Sequence, residues 1–433
     1  MYYEKAKSIE EYLIDWRRYF HENPELSSQE FKTIETLKEE LTNLGIEHIE
    51  VPNGGILGFI KGNLPGDKKV MLRADVDALP VLEKDDNLAG PRICKSKVDG
   101  VMHACGHDGH MAMLLGAAKI LMEERDNFGG EVILCLERGE EGTGNYMYIH
   151  AYMEKFGIVP DTVWAVHLLS TQEIGTIGIR DDSMMAGAIF FDVTIEGKGG
   201  HGSRPDQSIN PIDAFTAVYN YFQSLRMVKL DPFETLTYSI GAVNAGAVPN
   251  VIPQTLNFKG NVRFMNRDTM GHPFYIDFKE KVEKIAAAYD CKATFNSYPK
   301  PGFPVRNDAK AATFAREVMA KEFGEDKVMI PEPWMASESM AGYLAQWPGV
   351  FAFLGMKNDE KGVGAAHHNE YFDLDEDVLA MGTAGAVAYA VNYLNSDIEF
   401  EDKEYKGRFK EYLHEIDQSD EKIEEYYAVE KLD

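Results

Sequence analysis

The sequence is short of positive charge. It has 44 Lys and Arg residues against 71 Asp and Glu residues, which gives a formal net charge of −27 over 433 residues. A field of that sign repels nucleic acid and anionic lipid surfaces, so neither is expected as a partner. A small anionic substrate is still compatible with this charge, because one arginine or a bound metal ion can dominate the potential inside a pocket.

Cysteine and long apolar runs are also scarce. The four cysteines are Cys94, Cys105, Cys135 and Cys291. Their spacing is not that of a disulfide framework in a chain of this length. No run of 18 apolar residues is present, and the first 20 residues lack the apolar core of a signal peptide. These absences indicate a reduced, cytoplasmic protein, and the hydrophobic content of 44% is typical of a folded one.

Metal-binding side chains are concentrated in the segment Met102–His110. The chain has 12 His and 4 Cys, and four of these sixteen residues lie within eight positions: His103, Cys105, His107 and His110. Imidazole and thiolate are the side chains that bind zinc-like divalent ions best. An apolar helix is predicted over Met111–Met122, and a helix N-terminus favours a deprotonated thiol. The segment therefore predicts a metal site rather than a histidine-rich turn.

Short apolar runs alternate with predicted helices along the first half of the chain. The runs are Ile56–Ile60, Val70–Leu72, Val132–Leu136 and Val163–Val166. This alternation predicts an α/β fold with a mixed, mainly parallel sheet and helices on both faces. In such sheets ligands bind beyond the carboxyl ends of the strands. Arg73–Asp77, Glu140-Glu141 and His167 follow three of these runs, which predicts a shared site.

From about Met184 the pattern changes to β-α-β-β-α-β, the order of a ferredoxin-like module. The module ends in the linker Pro299–Pro304, after which the first pattern resumes. We therefore predict a discontinuous larger domain over residues 1–183 and 299–395, with an inserted α+β domain over residues 184–298. Residues 396–433 form an acidic extension with 14 acidic and 6 basic residues, predicted as a solvated amphipathic helix or a frayed tail.

Two further segments carry residues suited to catalysis. Adjacent Glu140 and Glu141 can have different roles, because neighbouring side chains in a loop can point in different directions. One carboxylate could bind a metal ion while the other acts as general base. Alone, such a pair is more often a solvated turn. The segment Ala365–Phe372 places a histidine in a loop before a predicted helix, where it could supply a last metal ligand.

These residues resemble the di-metal amidohydrolases and peptidases of the aminoacylase and carboxypeptidase G type. The chain is most similar to the subgroup of hippurate hydrolases, N-acyl-amino-acid amidohydrolases and auxin-conjugate hydrolases. The shared blocks follow in family order up to about Leu394: Arg18–His21 with Pro24-Glu25, Arg73–Pro80, Met102–His110, Glu140–Gly142, Met184–Gly187, Gly197–His201 and Asn250–Pro253. The resemblance implies a zinc-peptidase-like catalytic domain, with the inserted domain serving as a lid and for dimerisation.

The resemblance also implies a site. Two divalent metal ions (zinc, manganese, cobalt or nickel) would be bound by Cys105, His107, Glu141, His167 and His368, with Cys105 bridging them. Glu140 would be the general base and Asp77 would orient a ligand imidazole. His201 would reach the site of a partner subunit in a homodimer and stabilise the oxyanion, while Asn250 and Arg263 would bind the substrate carboxylate. This leaves His103 and His110 as supporting residues and Asp108 as a candidate helix cap.

The implied reaction is hydrolysis of the amide bond of N-acyl amino acids, by a metal-bridging water that Glu140 deprotonates. The alternative is a dipeptidase or carboxypeptidase that acts on short peptides with the same site. A metal-binding protein without turnover is a third class, which the presence of Glu140 disfavours. The segment Gly197–Gly202 fits a dinucleotide loop, but Pro205 and Pro211 delay the next helix, so no helix N-terminus is offered to a pyrophosphate.

The chain departs from the family pattern at three places. Glu137-Arg138-Gly139 stands where Gln-Pro-Ala is usual, Glu370 stands where proline is usual, and Lys84–Arg92 differs from the usual short turn. None of these changes removes a ligand or the base, so they bear on the substrate rather than on hydrolysis. Four further residues could line an acyl pocket or belong to the core: Met184, Met185, Trp334 and Met335.

Overall fold

The protein is described by a computed structural model that covers residues 2–142, 144–228, 230–400 and 405–430. In chain order its strands are β1 (Glu47–Val51), β2 (Gly55–Lys61), β3 (Leu64–Asp75), β4 (Gly129–Glu137), β5 (Thr162–Glu173), β6 (Ile177–Gly178), β7 (Asp182–Met185), β8 (Gly187–Glu196), β9 (Gly200–His201), β10 (Leu236–Ala245), β11 (Val251–Ile252), β12 (Thr255–Phe264), β13 (Lys292–Ser297), β14 (Val305–Asn307), β15 (Val328–Met329) and β16 (Gly349–Lys357).

The α-helices of the described residues precede, separate and follow these strands. They are α1 (Tyr2–Ser8), α2 (Glu10–Glu22), α3 (Phe31–Asn43), α4 (His107–Glu123), α5 (Tyr146–Phe156), α6 (Pro211–Val228), α7 (His272–Ala288), α8 (Ala309–Phe323), α9 (Met340–Gln346), α10 (Leu379–Leu394), α11 (Phe409–Glu415) and α12 (Asp420–Tyr427). Within the described ranges, no helix is both long and apolar enough to cross a membrane.

The larger sheet has eight strands in the order β1-β2-β4-β3-β5-β16-β6-β15. Its centre, from β4 through β3 and β5 to β16, is parallel. Strands β1 and β2 extend one side in antiparallel pairs, and β6 adds an antiparallel pair on the other. This topology confirms the predicted mixed, mainly parallel sheet. It also brings the carboxyl ends of β3, β4 and β5 to one edge, as the sequence pattern predicted.

Both faces of the larger sheet are covered by helices. Val70 and Leu72 of β3 pack in one core cluster with residues of α2, α4 and α10, whereas Met71 packs in another with residues of α5 and α9. Neighbouring strand residues point to opposite faces, so a strand between two helical layers must be apolar at every position. This burial explains why the sequence shows unbroken apolar runs rather than alternation.

The smaller sheet is antiparallel, with the order β10-β12-β8-β13. Together with α6 and α7 it has the predicted β-α-β-β-α-β order of a ferredoxin-like module. Its core is separate and aromatic, with Phe191, Phe222, Phe258 and Phe278 buried together. The chain enters through β7 and leaves through β14, and these two strands pair with each other. The residue limits given above for the domains remain predictions.

Three local predictions are wrong. Helix α4 begins at His107 rather than Met111, and its N-cap position is Gly106, which has a φ of 97° and no capping side chain. Asp108 therefore is not a helix cap but lies in the first turn. Strand β5 continues through His167 to Glu173, because β16 pairs with it along this length. His167 thus projects from within a strand rather than following one.

The acidic extension is also different from the prediction. Helices α11 and α12 are not a solvated or frayed tail, since both pack on α5. Phe409, Tyr412 and Leu413 of α11 and Ile423 and Tyr426 of α12 are buried in the same core cluster as α5. The acidic residues of these helices occupy the outward faces, which is why composition alone suggested a solvated segment.

We expect Leu413→Ala to destabilise the packing of the extension, because its side chain is fully buried. The loss of a buried leucine costs about 2–5 kcal/mol. Urea unfolding of the full chain, followed by circular dichroism, measures this change. Lys410→Ala, on the exposed side of the same helix, is the matched control and should leave the unfolding midpoint unchanged. Equal midpoints for the two variants would contradict this account of the extension.

Candidate active site

The five predicted metal ligands lie at the carboxyl edge of the larger sheet. Two groups of potential ligand atoms, in each of which the atoms lie within 4.8 Å of one another, share the thiol of Cys105. One group is Cys105, His107 and His167, and the other is Cys105, Glu141 and His368. A residue common to both groups is in the position that a bridging ligand requires.

The donor atoms have the chemistry and the spacing of a metal site. Cys105 Sγ lies 3.5 Å from His167 Nε2, and His368 Nε2 lies 3.2 Å from Glu141 Oε1. His107 Nε2 and Glu141 Oε1 are buried, and no residue that the structure describes makes a hydrogen bond of good geometry to either atom. Buried polar atoms are normally satisfied, so these atoms point to a missing partner. Thiolate, imidazole and carboxylate together suit a zinc-like divalent ion.

Hydrogen bonds fix the orientation of two ligand imidazoles. His107 Nδ1 lies 2.9 Å from the carbonyl oxygen of Asp77, and His167 Nδ1 lies 2.7 Å from the carbonyl oxygen of Leu168. Each Nδ1 therefore donates a proton to a carbonyl group, which directs each Nε2 into the site. Burial also lowers the pKa of His167 well below its usual value, which keeps the ring neutral.

Asp77 lies behind the ligands rather than among them. Its Oδ2 accepts hydrogen bonds from the hydroxyl of Ser27 and from the backbone N–H of Glu141, the latter at 3.0 Å. Its Oδ1 lies 3.3 Å from His107 Nδ1. Burial alone would raise the pKa of Asp77, but the hydrogen bond and charge of His107 lower it below the usual value. The carboxylate thus contacts one ligand side chain and the backbone of another.

Glu140 lines a cavity of about 210 Å³ beside the ligands. Its Oε1 accepts a hydrogen bond of 3.0 Å from the backbone N–H of Ser339. Burial, together with the nearby carboxylates of Glu338 and Glu141, raises the pKa of Glu140 well above its usual value. A raised carboxyl pKa is typical of a residue that accepts and returns protons near neutral pH. The cavity is lined by Cys105, Glu140, Glu141, His167, Met185, Trp334, Ala336, Ser337, Glu338, His367 and His368.

Arg73, one of the residues predicted at the shared site, is a buried arginine whose partners the sequence analysis did not identify. Arg73 donates to Glu137 Oε2 and Asp75 Oδ2, both at 2.8 Å, and to the hydroxyl of Ser339 at 2.7 Å. Glu338 Oε1 lies 2.9 Å from the same guanidinium. The side chain of Arg73 is 1% exposed. A buried arginine in a strand signals carboxylate partners, but the sequence does not reveal partners that lie more than 200 positions away.

The remaining residues of the Met102–His110 segment support the site from behind. His110 Nδ1 lies 2.6 Å from Asp75 Oδ1, and its Nε2 accepts a hydrogen bond from the backbone of Leu168. Asp108 Oδ2 lies 2.8 Å from His21 Nδ1 and 3.1 Å from Arg17 Nε. This ion pair with α2 replaces the predicted capping role. His103 is buried, and burial lowers its pKa to about 4.

The structure brings one of the three predicted residues of the smaller domain to the cavity. Arg263 Nη1 donates a hydrogen bond of 2.7 Å to the hydroxyl of Ser337, which lines the cavity. His201 is exposed in the ribbon β9–β11, where it pairs with Val251, and Asn250 is exposed directly before that ribbon. Neither His201 nor Asn250 is among the residues that line the cavity of their own chain.

Sequence reasoning also missed His367. Its Nδ1 lies 3.7 Å from Cys105 Sγ, its Nε2 accepts from the backbone of Ser170, and its ring lies 5.0 Å from that of Trp334. The adjacent pair His367-His368 indicated that two imidazole rings could reach the site. The sequence did not show which ring faces which group. Of the four candidate pocket residues, Met185 and Trp334 line the cavity and Met184 is fully buried.

Comparison with known proteins agrees with this geometry. Residues 71–392 match the model of peptidase family M20/M25/M40, and the chain belongs to this family. It is 34% identical over 398 residues to thermostable carboxypeptidase 2 of Saccharolobus solfataricus, covering 90% of this chain and 97% of that protein. It is 33% identical to IAA-amino acid hydrolase ILR1-like 2 of Arabidopsis thaliana, covering 90% and 87% respectively.

A solved structure is similar over the same length. It is a dinuclear metal-binding peptidase of the M20 family from Bacillus subtilis, with a TM-score of 0.74 and 30% identity over 90% of this chain and 99% of that one. Family membership makes the chain a hydrolase of amide or peptide bonds. The shared-thiol ligand groups, together with the dinuclear relative, support two divalent metal ions in its site.

We expect Arg73→Met to destabilise the protein strongly, because it leaves the buried carboxylates of Asp75, Glu137 and Glu338 without their cation. Breaking a buried ion pair in this way costs about 3–5 kcal/mol. Urea unfolding of the metal-free protein measures the change. Arg306→Met is the control, since its ion pair with Asp182 is exposed and such pairs contribute about 0–1 kcal/mol. If the two variants lost similar free energies of unfolding, the buried cluster would contribute no more to stability than the exposed ion pair.

Proposed function

We propose that this protein hydrolyses the amide bond between an acyl group and the nitrogen of an amino acid. The observation that carries this proposal is the cavity in which Glu140 adjoins the ligand groups that share Cys105, with Arg263 hydrogen bonded to its wall. Similarity to an IAA-amino acid hydrolase supports the same class of substrate, an amide with a free carboxylate.

We assign the ligands of the two metal ions from the two donor groups. One ion would be held by Cys105, His107 and His167, and the other by Cys105, Glu141 and His368. When bound, two divalent ions lower the pKa of a water molecule to around 7 and polarise a carbonyl group. The thiol favours zinc among the candidate ions, with manganese, cobalt and nickel as the others. We also propose a cytoplasmic location, where a reducing environment would keep the four free thiols reduced.

In the proposed reaction Glu140 moves the proton. It accepts a proton from the attacking water and later returns it to the leaving amine, as its raised pKa allows. The hydrogen bond from Ser339 fixes Oε1 of Glu140, which leaves Oε2 for the water. Asp77 holds His107 and the backbone of Glu141 in place during the reaction.

Arg263 suits the carboxylate of the substrate. Its guanidinium is half-buried beside Ser337 and lies over the ring of Phe190, 5.3 Å from the ring centroid. A planar fork of N–H donors matches a carboxylate, so the amino-acid part of the substrate would lie toward the smaller domain. The acyl part would then lie toward Trp334 and Met185, which also line the cavity. Asn250 would contribute a further polar contact.

We infer that the protein is a homodimer that uses the inserted domain as its interface. His201 is exposed on a two-stranded ribbon, and its Nδ1 accepts a hydrogen bond from the hydroxyl of Ser203. Because His201 does not line the cavity of its own chain, we propose that it stabilises the oxyanion in the site of a partner subunit. In a closed symmetric dimer, each subunit would contribute its His201 to the site of the other subunit.

A dipeptidase or carboxypeptidase activity is the second candidate, and similarity to a thermostable carboxypeptidase favours it. The two activities use the same ligands and base, so they differ only in whether the site accepts a free amine. Release of free amino acid from N-acetyl-methionine and hippurate, measured against hydrolysis of Ala-Ala, separates them. We expect the N-acyl amino acids to be cleaved with the higher kcat/KM, and the reverse order would favour the peptidase.

We expect Glu140→Gln to retain both metal ions and to lose activity, because it removes only the proton acceptor. The loss in kcat should be about two to four orders of magnitude. Elemental analysis and hydrolysis assays measure the two properties on the same sample. Glu141→Gln is the matched control: it changes the neighbouring residue, a proposed metal ligand, and should therefore lose bound metal ion as well as activity. A Glu140→Gln protein with undiminished hydrolysis would refute the proposed mechanism.

Mixing two inactive variants tests the role of His201. Subunits with His201→Ala lack the oxyanion group that they would give to a partner, and subunits with Glu140→Gln lack the base. In a mixed dimer one site carries both changes and the other carries neither, so activity should return to about a quarter of the wild-type level after random exchange. An absence of recovery, with dimers demonstrated by light scattering, would place His201 in its own subunit's site or outside catalysis.

A further inference from the structure

Two segments in which this chain departs from the usual family sequence are in direct contact. One is the segment Lys84–Arg92, here called the strap, and the other is the loop that carries His368, here called the ligand loop (residues 367–372). The backbone N–H of Lys84 donates to the carbonyl oxygen of Glu370 at 3.2 Å. The ammonium group of Lys84 lies 3.5 Å from the carboxylate of Glu370, an exposed pair. The two departures thus form one structural unit.

Arg92 makes the main connection between the strap and the ligand loop. Its Nη1 donates to the carbonyl oxygen of Phe372 at 2.6 Å, its Nη2 to that of Glu370 at 2.9 Å and its Nε to that of Lys84 at 2.8 Å. The Arg92 side chain is 1% exposed. Its charge is balanced by Glu83 at 3.4 Å and by Asp373 at 3.6 Å. A lysine could keep the charge but could not span three carbonyl groups.

The ligand loop needs such support because of the backbone of His368. This residue has a φ of 64°, in the left-handed region that non-glycine residues rarely adopt. Such a conformation costs of the order of 1–3 kcal/mol and persists only where neighbouring contacts hold it. Its N–H donates to the carbonyl oxygen of Ala104 at 2.8 Å, which fixes the start of the loop. Arg92 fixes the end of the loop, at Glu370 and Phe372.

The strap has two further anchors, one directly after the ligand loop and one in the turn at Lys361-Gly362. Asn87 Nδ2 donates to Asp373 Oδ2 and to the carbonyl oxygen of Lys361, both at 2.9 Å. The strap also lies tightly against Gly362, which has a φ of 72°, and a Cβ there would come within 2.3 Å of Asn87 Oδ1. Only glycine therefore fits beneath the strap.

We propose that Arg92 is a positioning residue for His368. By fixing the carbonyl groups of Glu370 and Phe372, it sets the conformation in which His368 Nε2 faces Glu141. The effect should be confined to the metal ion held by Cys105, Glu141 and His368. The ion held by Cys105, His107 and His167 has no ligand in this loop. This inference rests on the proposed function, because it takes His368 to be a metal ligand.

The test is the binding of Zn²⁺ to the full-length, metal-free protein by equilibrium dialysis at buffered free-ion concentrations. Wild-type protein should take up two ions in two steps. His368→Ala should weaken or remove one step. Arg92→Lys and Asn87→Ala should weaken that same step by about tenfold to a hundredfold, the usual range for a residue that orients a ligand. The other step should stay unchanged in both variants.

Two controls separate positioning from general destabilisation. Lys84→Met removes only the exposed pair with Glu370 and should bind both ions as the wild type does. The double variant Arg92→Lys with His368→Ala should bind no more weakly than His368→Ala alone, because the two residues would act through one contact. Circular dichroism and thermal unfolding of the metal-free proteins establish that each variant is folded, and Asn87→Ala serves if Arg92→Lys does not fold.

The outcomes distinguish this inference from the proposed function. If His368→Ala leaves both steps unchanged, the assigned ligand set is wrong and the role of Arg92 is refuted with it. If His368→Ala removes one step while folded Arg92→Lys and Asn87→Ala leave both unchanged, only the positioning role is refuted. An equal weakening of both steps, or full additivity in the double variant, would likewise refute it.

Discussion

The site depends on one buried cation. The guanidinium of Arg73 lies among the carboxylates of Asp75, Glu137 and Glu338, and none of these groups reaches solvent to any extent. Charges taken out of water are costly unless they are paired, so this cluster can exist only as a whole. From it, hydrogen bonds run through Ser339 to the carboxylate of Glu140 and through Asp75 to His110 in the helix that begins at His107. The proposed base and the helix that begins with a proposed ligand are thus held by the same group.

A second constraint comes from the backbone carbonyl groups around the ligands. Those of Asp77 and Leu168 accept the Nδ1 protons of His107 and His167, and this sets the orientation of both rings. The rings can therefore present Nε2 to a metal ion without rearrangement. The ligand loop is held by the strap through hydrogen bonds from Arg92 to backbone carbonyl groups. The carboxylate of Glu137 likewise belongs to a hydrogen-bond network, because it accepts from Arg73.

Much of the fold followed from periodicity. Apolar runs without alternation predicted buried parallel strands, and the change of pattern near Met184 predicted a separate α+β module. The errors have local causes. Asp108 has a residue type common at helix starts, yet it is used in a buried ion pair with Arg17 and His21. The acidic extension contains apolar residues at helical spacing, but their burial depends on a complementary surface on α5 that no local pattern reveals.

The sequence by itself determined the kinds of donor that the structure brings together, because thiol, imidazole and carboxylate are concentrated in a few short segments. It also determined the alternation of strands and helices around the larger sheet and the β-α-β-β-α-β order of the smaller module, since hydrophobic periodicity is a local property. Only the tertiary structure decided which groups meet: Arg73 with Glu338, Arg92 with the ligand loop, and Arg263 with the cavity wall. Such contacts join residues far apart in the chain, and their energies come from burial and geometry that exist only in the folded protein.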